Sequence, residues 1–292
     1  MTDAAAAAPG ADYSYCETLL RRDDPDRWLA SLFAPREARP HIHALYAFSL
    51  EIARVREIVS EPLLGEIRFQ WWRDALDAPD RADVAANPVA GALLDTVVRF
   101  DLSKQALLDL IDARLFDLYD DPMENMEQLD SYARATSSGL FRLARRILDQ
   151  DEAAEGLGAA EHGGIAYALT GLLRALPWHC ARGQVYVPRD ILEKNGVEPA
   201  ELVAGISSPG VLAALAELRG FARRHLEIFD TRLVCLPESA RACFLPLSLC
   251  EAYLRRMEKP GYDPFKTPVG LPKWRRQWIL WRAAGRWSEA LR

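Results

Sequence analysis

The sequence carries no excess of basic residues. Its 292 residues include 36 Lys and Arg against 42 Asp and Glu, which gives a formal net charge of −6. Proteins that bind nucleic acids by coating the phosphates carry a basic excess, so the composition argues against that class. Half of the residues are apolar and 27% are charged, which is typical of a globular protein that can bury a sizeable core.

Long apolar runs are also missing. The longest stretches without a charge, around residues 163–173 and 242–250, fall short of the roughly 20 residues that span a bilayer. The first residues, MTDAAAAAPGADYS, have neither the positive charge nor the apolar stretch of a signal peptide. We therefore expect a disordered tail over residues 1–12 and a cytoplasmic protein that does not cross a membrane.

Cysteine motifs and phosphate-binding loops are lacking as well. None of the five cysteines forms a C-x-x-C pair, and such an odd, scattered set predicts reduced core thiols rather than a disulfide framework. The chain has no G-x-x-x-x-G-K-[ST] loop and no G-x-G-x-x-G fingerprint. Nothing in the sequence therefore supports nucleotide binding.

What the sequence does contain is helical periodicity. Leu45, Phe48 and Ile52 recur at spacings of three and four, which places them on one face of a helix over residues 44–59. Similar stripes cover residues 64–76, 89–100, 104–118, 132–148, 165–176, 211–229, 241–257 and 273–286. No run alternates convincingly between apolar and polar residues. The patterns predict one all-α domain over residues 13–292, with an irregular loop at Gly183–Pro199 over one end of the bundle.

Two long phrases resemble the squalene/phytoene synthase family. RWLASLFAPREARPHIHALYAFSLEIARVREIVSE (residues 27–61) is similar to the first signature region of that family, and LTGLLRALPWHCARGQVYVPRDILEKNGV (residues 169–197) is similar to the second. The resemblance implies a single-domain isoprenoid-synthase helical bundle with a central pocket. Active members of the family join two prenyl diphosphates head to head, and the resemblance implies this activity for a chain that keeps the catalytic residues.

The resemblance also implies an acidic clamp, in which carboxylates on two facing helices hold Mg²⁺ and the substrate diphosphate. Aligned with the first signature, the two leading aspartates fall on Ala53 and Arg54, and the last acid falls on Glu57. In the second signature both aspartates are replaced, by Ala175 and His179. Four of the five acidic positions are lost, so we expect no catalytic residue and no cofactor, and Mg²⁺ only if the chain is an active prenyltransferase.

The way in which the motifs have changed resembles a non-catalytic branch of the family, the type of NADH dehydrogenase (complex I) assembly factor 6. An R-A-x-P-x-H arrangement in that branch matches Arg174, Ala175, Pro177 and His179. The resemblance implies a pseudoenzyme that assists the assembly of respiratory complex I, with NADH dehydrogenase subunits or assembly intermediates as partners. It implies a location in the cytoplasm or at the cytoplasmic face of the inner membrane.

Two alternatives remain open. Arginine binds phosphate oxygens in bidentate geometry, so cationic side chains could replace the metal in an active squalene or phytoene synthase type of transferase. An isoprenoid-lipid-binding protein that keeps the apolar pocket is the other alternative. The candidate pocket and phosphate-binding residues are Tyr46, Arg54, Arg174, Arg182 and Tyr186.

A few remaining acids are weak metal-binding candidates. Glu57 is a lone carboxylate beside Arg54 and Arg56, a pattern that favours an ion pair. Asp117 and Asp121 have the i, i+4 spacing that places two side chains on one helix face. Because Asp and Pro favour turns, the Asp-Asp-Pro sequence at 120–122 is more typical of a helix end, and we expect no metal site.

Residues 273–292, KWRRQWILWRAAGRWSEALR, predict a basic, Trp-rich C-terminal helix. Trp274, Trp278 and Trp281 recur at helical spacing among arginines. One interpretation is that this aromatic stripe packs on the bundle while the arginines reach water. The other is that the helix lies at a membrane surface as a peripheral contact.

Overall fold

The computed structural model of the protein describes residues 10–149 and 155–289. Every regular element within these ranges is a helix and none is a strand, which confirms the predicted all-α class. Residues 1–9 of the predicted tail lie outside the described residues, as do residues 290–292 of the predicted C-terminal helix. No helix in the described part of the chain is both long and apolar enough to span a bilayer.

The helices are joined by connections of different lengths, and residues 257–272 form a long one. The helices are α1 (Ala11–Asp23), α2 (Pro25–Ser31), α3 (Arg39–Ala53), α4 (Val55–Ile58), α5 (Pro62–Asp77), α6 (Ala82–Ala85), α7 (Pro88–Phe100), α8 (Lys104–Ala113), α9 (Met126–Ala133), α10 (Gly139–Leu148), α11 (Glu155–Cys180), α12 (Arg189–Lys194), α13 (Pro199–Val203), α14 (Pro209–Leu233), α15 (Glu238–Arg241), α16 (Cys250–Arg256) and α17 (Lys273–Glu289). Residues Arg114–Leu118 and Ala242–Leu249 are 3₁₀ helices, and Arg134–Ser138 is a π-helix.

Helix α1 begins earlier than the sequence predicts. It starts at Ala11, so the predicted tail over residues 1–12 is wrong at its last two positions. Asp12 lies in the first turn, where its negative charge interacts favourably with the helix dipole and stabilises the helix. The Tyr13 hydroxyl then contacts Nδ1 of His41 at 2.9 Å and Oγ1 of Thr96 at 3.2 Å, which ties the first turn to α3 and α7.

The first signature region is helical but interrupted. α3 ends at Ala53, and Arg54 follows with φ −94° and ψ −1°. The Arg54 backbone N–H is shared between the carbonyls three and four residues earlier, at 3.2 Å each. α4 restarts at Val55, so the predicted single stripe over residues 44–59 is divided, and the break lies inside the first motif, between Ala53 and Glu57.

The second motif lies on α11, a helix of 26 residues that packs most extensively against α14. Gly164 permits a close approach of the π-helix, because a Cβ atom at this position would lie 2.4 Å from Oγ of Ser138. Pro177 lies inside the last turns of α11, between Ala175 and His179. The helix thus carries both second-motif positions in one continuous element.

The segment Gly183–Pro199 is only partly irregular. It contains α12, on which Ile191 and Leu192 are buried, and α13 begins at Pro199. The expected irregular loop is therefore wrong over residues 189–194. A six-residue helix with two adjacent buried residues is too short to produce a periodic signal in the sequence.

Two groups of buried apolar side chains fill the bundle. One joins mainly residues of α1, α3, α5, α7, α8 and α10 with a few from α11 and α14, and the other joins mainly residues of α9, α11, α12, α14, α16 and α17. The central cavity is lined from both groups, by α3 and α10 of the first and by α9 and α11 of the second.

Candidate functional site

A cavity of about 300 Å³ lies between α3, α4 and α11. Ala53, Arg54 and Glu57 line it from the first motif, and Ala175 and His179 line it from the second. The structure therefore brings together all five positions that the family resemblance assigns to the acidic clamp.

The chemistry of these positions differs from that of a metal clamp. The two alanines contribute only methyl groups. Nη1 of Arg54 donates to Oδ2 of Asp23 at 2.6 Å, and Nη1 of Arg182 donates to Oε1 of Glu57 at 3.2 Å. The one carboxylate that remains at the clamp is therefore already paired with a cation, and Arg182 contacts the cavity lining through this ion pair.

The residues present do not fit Mg²⁺. This ion prefers carboxylate and water oxygens in near-octahedral geometry, and a histidine nitrogen is a poorer ligand for such a hard cation. Within residues 10–149 and 155–289, no group of three or more His, Cys, Asp or Glu side chains is arranged to hold a metal. Glu57 alone, already bound to Arg182, is not a sufficient ligand set.

Asp117 and Asp121, the other weak metal candidates, do not form a pair of ligands. Asp117 is buried and accepts hydrogen bonds from the hydroxyls of Tyr132 and Tyr186, both at 2.7 Å, and from Nη1 of Arg114 at 3.0 Å. The 3₁₀ helix ends one residue after Asp117, so Asp121 lies beyond it and is exposed. The i, i+4 geometry that the spacing predicts is therefore not formed.

His179 lies between the central cavity and a smaller apolar void of about 10 Å³. Its ring centroid is 4.7 Å from that of Tyr186, which lines the smaller void. Burial lowers the pKa of His179 from 6.5 to about 4. The imidazole is therefore neutral near pH 7 and offers a ligand a hydrogen-bonding group but no charge.

The cavity is also lined by two arginines, Arg27 and Arg114, that the sequence analysis did not single out. Nε of Arg27 lies 3.0 Å from Oδ2 of Asp24, and Arg114 is bound to Asp117. Arg114 does have a signal in the sequence, since it falls on the apolar stripe of residues 104–118, where a charge is unusual. Arg27 has no such signal, because α2 is only seven residues long.

Tyr46, one of the predicted pocket residues, lies in the cavity wall. Its side chain is 2% exposed, and its hydroxyl has no hydrogen-bond partner among the described residues. The guanidinium carbon of Arg27 lies 5.1 Å from the centroid of its ring. Burial raises the pKa of Tyr46 well above 10, so the hydroxyl stays protonated and is free to donate. Tyr46 therefore contributes to the cavity wall a side chain whose buried hydroxyl has no partner among the described residues.

Arg174, another predicted pocket residue, is not among the residues that line the central cavity. Its Nη1 contacts Oδ2 of Asp26 at 3.4 Å, and its guanidinium carbon lies 3.7 Å from the ring centroid of Tyr253. Arg174 precedes Ala175 by one residue, and successive residues on an α-helix are rotated by about 100°. When Ala175 faces the cavity, Arg174 therefore points toward α2 and α16.

Residues 20–282 match the family model for squalene/phytoene synthase. The chain belongs to the squalene/phytoene synthase family. One relative is NADH dehydrogenase (ubiquinone) complex I, assembly factor 6 from Rattus norvegicus, which is 33% identical over 265 residues, covering 90% of this chain and 79% of the relative. Another is presqualene diphosphate synthase from Sinorhizobium fredii, 26% identical over 256 residues, covering 86% of this chain and 89% of the relative.

Solved structures of the family share this fold. The crystal structure of a dehydrosqualene synthase in complex with ligand superimposes with a TM-score of 0.83 at 18% sequence identity, and the match covers 95% of this chain and 97% of the other. The likeness confirms the predicted isoprenoid-synthase bundle. At this level of identity it establishes the fold alone.

Proposed function

We propose that this protein is a non-catalytic member of its family that assists the assembly of respiratory complex I (NADH dehydrogenase). Its partners in this role are complex I subunits or assembly intermediates, and its location is the cytoplasm or the cytoplasmic face of the inner membrane. One observation carries the proposal: the five clamp positions meet at one cavity and supply a single carboxylate, which is bound to Arg182. The similarity to an assembly factor 6 over 90% of the chain supports the same role.

An active head-to-head transferase has less support. Such an enzyme must stabilise a leaving diphosphate, an electrostatic contribution worth several kcal/mol. Arg27, Arg54 and Arg114 are cations in the cavity lining, but each lies within 3.0 Å of an aspartate oxygen. Their charge is thus already compensated, which makes them poor substitutes for metal ions.

Deletion of the gene tests the assembly role. The proposal predicts less assembled complex I on native gels and a matching loss of NADH-dependent quinone reduction in isolated membranes. Succinate-dependent quinone reduction serves as the control and should not change. Wild-type amounts of fully active complex I in the deletion strain would contradict the proposal.

Complementation of the deletion strain separates the scaffold from any chemistry at the clamp. Glu57→Ala removes the last clamp acid, and it should restore complex I as well as the native chain does because the proposal assigns that acid no metal. Asp117→Ala removes a buried acid that binds Arg114 and two tyrosines, and it should fail because the chain is destabilised. Failure of Glu57→Ala at normal protein abundance would point to metal chemistry and against the proposal.

Binding of an isoprenoid lipid is a second candidate function, favoured by one observation. The cavity keeps a volume of about 300 Å³, and the buried Tyr46 hydroxyl in its wall has no partner among the residues described. A buried donor without a partner costs about 1–3 kcal/mol, which a ligand with a polar head would recover. Assembly and lipid binding are compatible, since the ligand would occupy the cavity and the partner the surface.

Mass spectrometry of lipids extracted from the purified protein tests this second function. We expect an isoprenoid in the native chain and much less in Gly171→Leu, because Gly171 lines the cavity and a Cβ there meets no atom within 4 Å. Gly220→Leu on α14 is the matched control, since that position is equally open and lies outside the cavity lining. A native protein that carries no isoprenoid contradicts the proposal.

A further inference from the structure

Helix α17 packs on the bundle with one side only. Leu280 and Ala283 are fully buried on that side, and Nη1 of Arg276 donates to Oδ1 of Asp26 at 2.8 Å. Trp287 continues the same side, with its ring centroid 6.2 Å from that of Phe229. These contacts fix which face of the helix points away from the protein.

The three other tryptophans of α17 lie on that outward face. Trp274, Trp278 and Trp281 are 68%, 49% and 66% exposed. Their i, i+4 and i+7 spacing places them in one continuous stripe along the helix. The interpretation in which this stripe packs on the bundle is therefore wrong, because Leu280 and Ala283 occupy the core-facing side instead.

The charge beside this stripe is strongly positive. Residues 273–289 contain five basic residues and one acid, whereas the whole chain has a net charge of −6. Lys273, Arg275 and Arg282 are exposed and form no ion pair with another residue of the described chain. The guanidinium carbon of Arg282 lies 4.7 Å from the ring centroid of Trp278. The outward face thus combines large amphipathic rings with uncompensated cations.

We propose that this outward face of α17 docks on the surface of a bilayer that contains anionic phospholipids. Tryptophan is enriched at the headgroup level of membranes, where its ring meets the acyl boundary and its N–H stays near water. Basic side chains beside such rings add attraction to anionic headgroups. An anionic bilayer matches both the exposed rings and the positive charge of this face.

This inference rests on the peripheral location proposed above but does not depend on the assembly role. In it, α17 lies along the bilayer surface, because one side of the helix is held by the protein. The ion pair between Arg276 and Asp26 keeps the helix on the bundle while the tryptophans enter the headgroup layer.

Co-sedimentation of the purified protein with vesicles tests the proposal. We compare phosphatidylcholine vesicles with vesicles that also contain phosphatidylglycerol. The native chain should bind the anionic vesicles with a blue shift of its tryptophan fluorescence, and binding should weaken as salt is added. The variant Trp274→Ser, Trp278→Ser, Trp281→Ser should bind more than about tenfold more weakly, since burial of each ring contributes on its own.

Two matched variants separate the causes of binding. The double variant Tyr15→Ser, Val98→Ser removes exposed apolar groups from α1 and α7. These helices pack mainly on each other and on α3, so the variant should leave vesicle binding unchanged. Arg275→Glu with Arg282→Glu should abolish the preference for phosphatidylglycerol. Circular dichroism and thermal unfolding check that each variant is folded, which is expected because all of the changed side chains are exposed.

Several results would overturn the docking surface. One is a native chain that does not bind anionic vesicles, and another is a triple-Trp variant that binds them as well as the native chain does. The third is a dimer, detected by light scattering, that depends on the three tryptophans and forms without lipid. Because these measurements use purified protein and vesicles, a negative result leaves the assembly role standing. Normal complex I in the deletion strain would contradict the assembly role and leave the docking surface standing.

Discussion

The buried aspartates Asp117 and Asp26 differ from the clamp residue Glu57 in how many hydrogen bonds their carboxylates accept. Asp117 accepts hydrogen bonds from an arginine and two tyrosines, and Asp26 accepts from Tyr253 at 2.6 Å and from Arg276 at 2.8 Å. At the clamp, Glu57 is 47% exposed and has one arginine partner at 3.2 Å. Asp117 and Asp26 thus each accept several hydrogen bonds that join helices, whereas the clamp supplies a single carboxylate among the described residues. The buried carboxylates therefore contribute to the packing between helices, whereas Glu57 makes one partly exposed ion pair.

The largest effect is expected at Asp117. Asp117→Ala removes the buried carboxylate that pairs with Arg114, whose side chain is 18% exposed, and breaking a buried ion pair costs up to about 3–5 kcal/mol. Denaturant unfolding of the purified protein measures the change. Asp121→Ala is the control, and as an exposed site it should alter the free energy of unfolding by less than about 0.5 kcal/mol. Equal effects at the two positions would remove the distinction between a structural and a surface acid.

The next effect is a pH dependence at His179. Burial lowers its pKa from 6.5 to about 4, so between these values the unfolded chain binds a proton that the folded chain does not. Its contribution to stability is complete above about pH 6.5 and is lost as the pH falls toward 4. Between pH 7 and pH 4 the native chain should lose about 3 kcal/mol more than His179→Gln. Identical pH profiles in denaturant unfolding would show that the imidazole is not buried at the cavity.

A smaller effect distinguishes two buried tyrosines. Tyr253→Phe removes a hydroxyl that donates to Asp26, and it should lower the free energy of unfolding by about 1.5–3 kcal/mol. Tyr46→Phe removes a hydroxyl without a partner in the described structure, so it should leave stability unchanged or raise it by about 1 kcal/mol. Thermal and denaturant unfolding measure both. A marked loss of stability in Tyr46→Phe would mean that this hydroxyl is already engaged in the protein without a ligand.

The smallest effect is expected at Glu57. Its pair with Arg182 is partly exposed on both sides, and exposed pairs contribute about 0–1 kcal/mol. Glu57→Gln should therefore change the free energy of unfolding by less than about 1 kcal/mol, with or without added Mg²⁺. A Mg²⁺-dependent stabilisation of the native chain that Glu57→Gln abolishes would instead identify Glu57 as a metal ligand.

Much of the fold could be predicted from the sequence because periodicity encodes burial directly. Phe48 and Ile52 repeat at the spacing of a helix face, and both are almost fully buried on α3. Two long phrases of the sequence indicate the clamp positions, and Ala53 and Ala175 do line one cavity. The break at Arg54 was not predicted, because a single residue outside helical geometry leaves the surrounding pattern almost unchanged.

Side-chain direction was harder to predict than helix position. Arg174 is adjacent to Ala175 in sequence, yet the rotation of about 100° per residue sends it to Asp26 instead of the cavity. On α17 both sides are apolar, so the pattern alone could not show whether Trp278 or Leu280 faces the bundle. That choice depends on the 3₁₀ helix Ala242–Leu249 and α2, which contact α17 only in the folded chain.

The loss of the metal and diphosphate clamp is tested most directly by release of inorganic diphosphate. Purified native protein is incubated with farnesyl diphosphate, Mg²⁺ and NADPH, beside Glu57→Ala prepared in the same way as the control for contaminating activity. We predict the same background release from both proteins and no squalene-type product. Mg²⁺-dependent release of diphosphate by the native protein well above that of Glu57→Ala, together with a coupled prenyl product, would contradict a non-catalytic role.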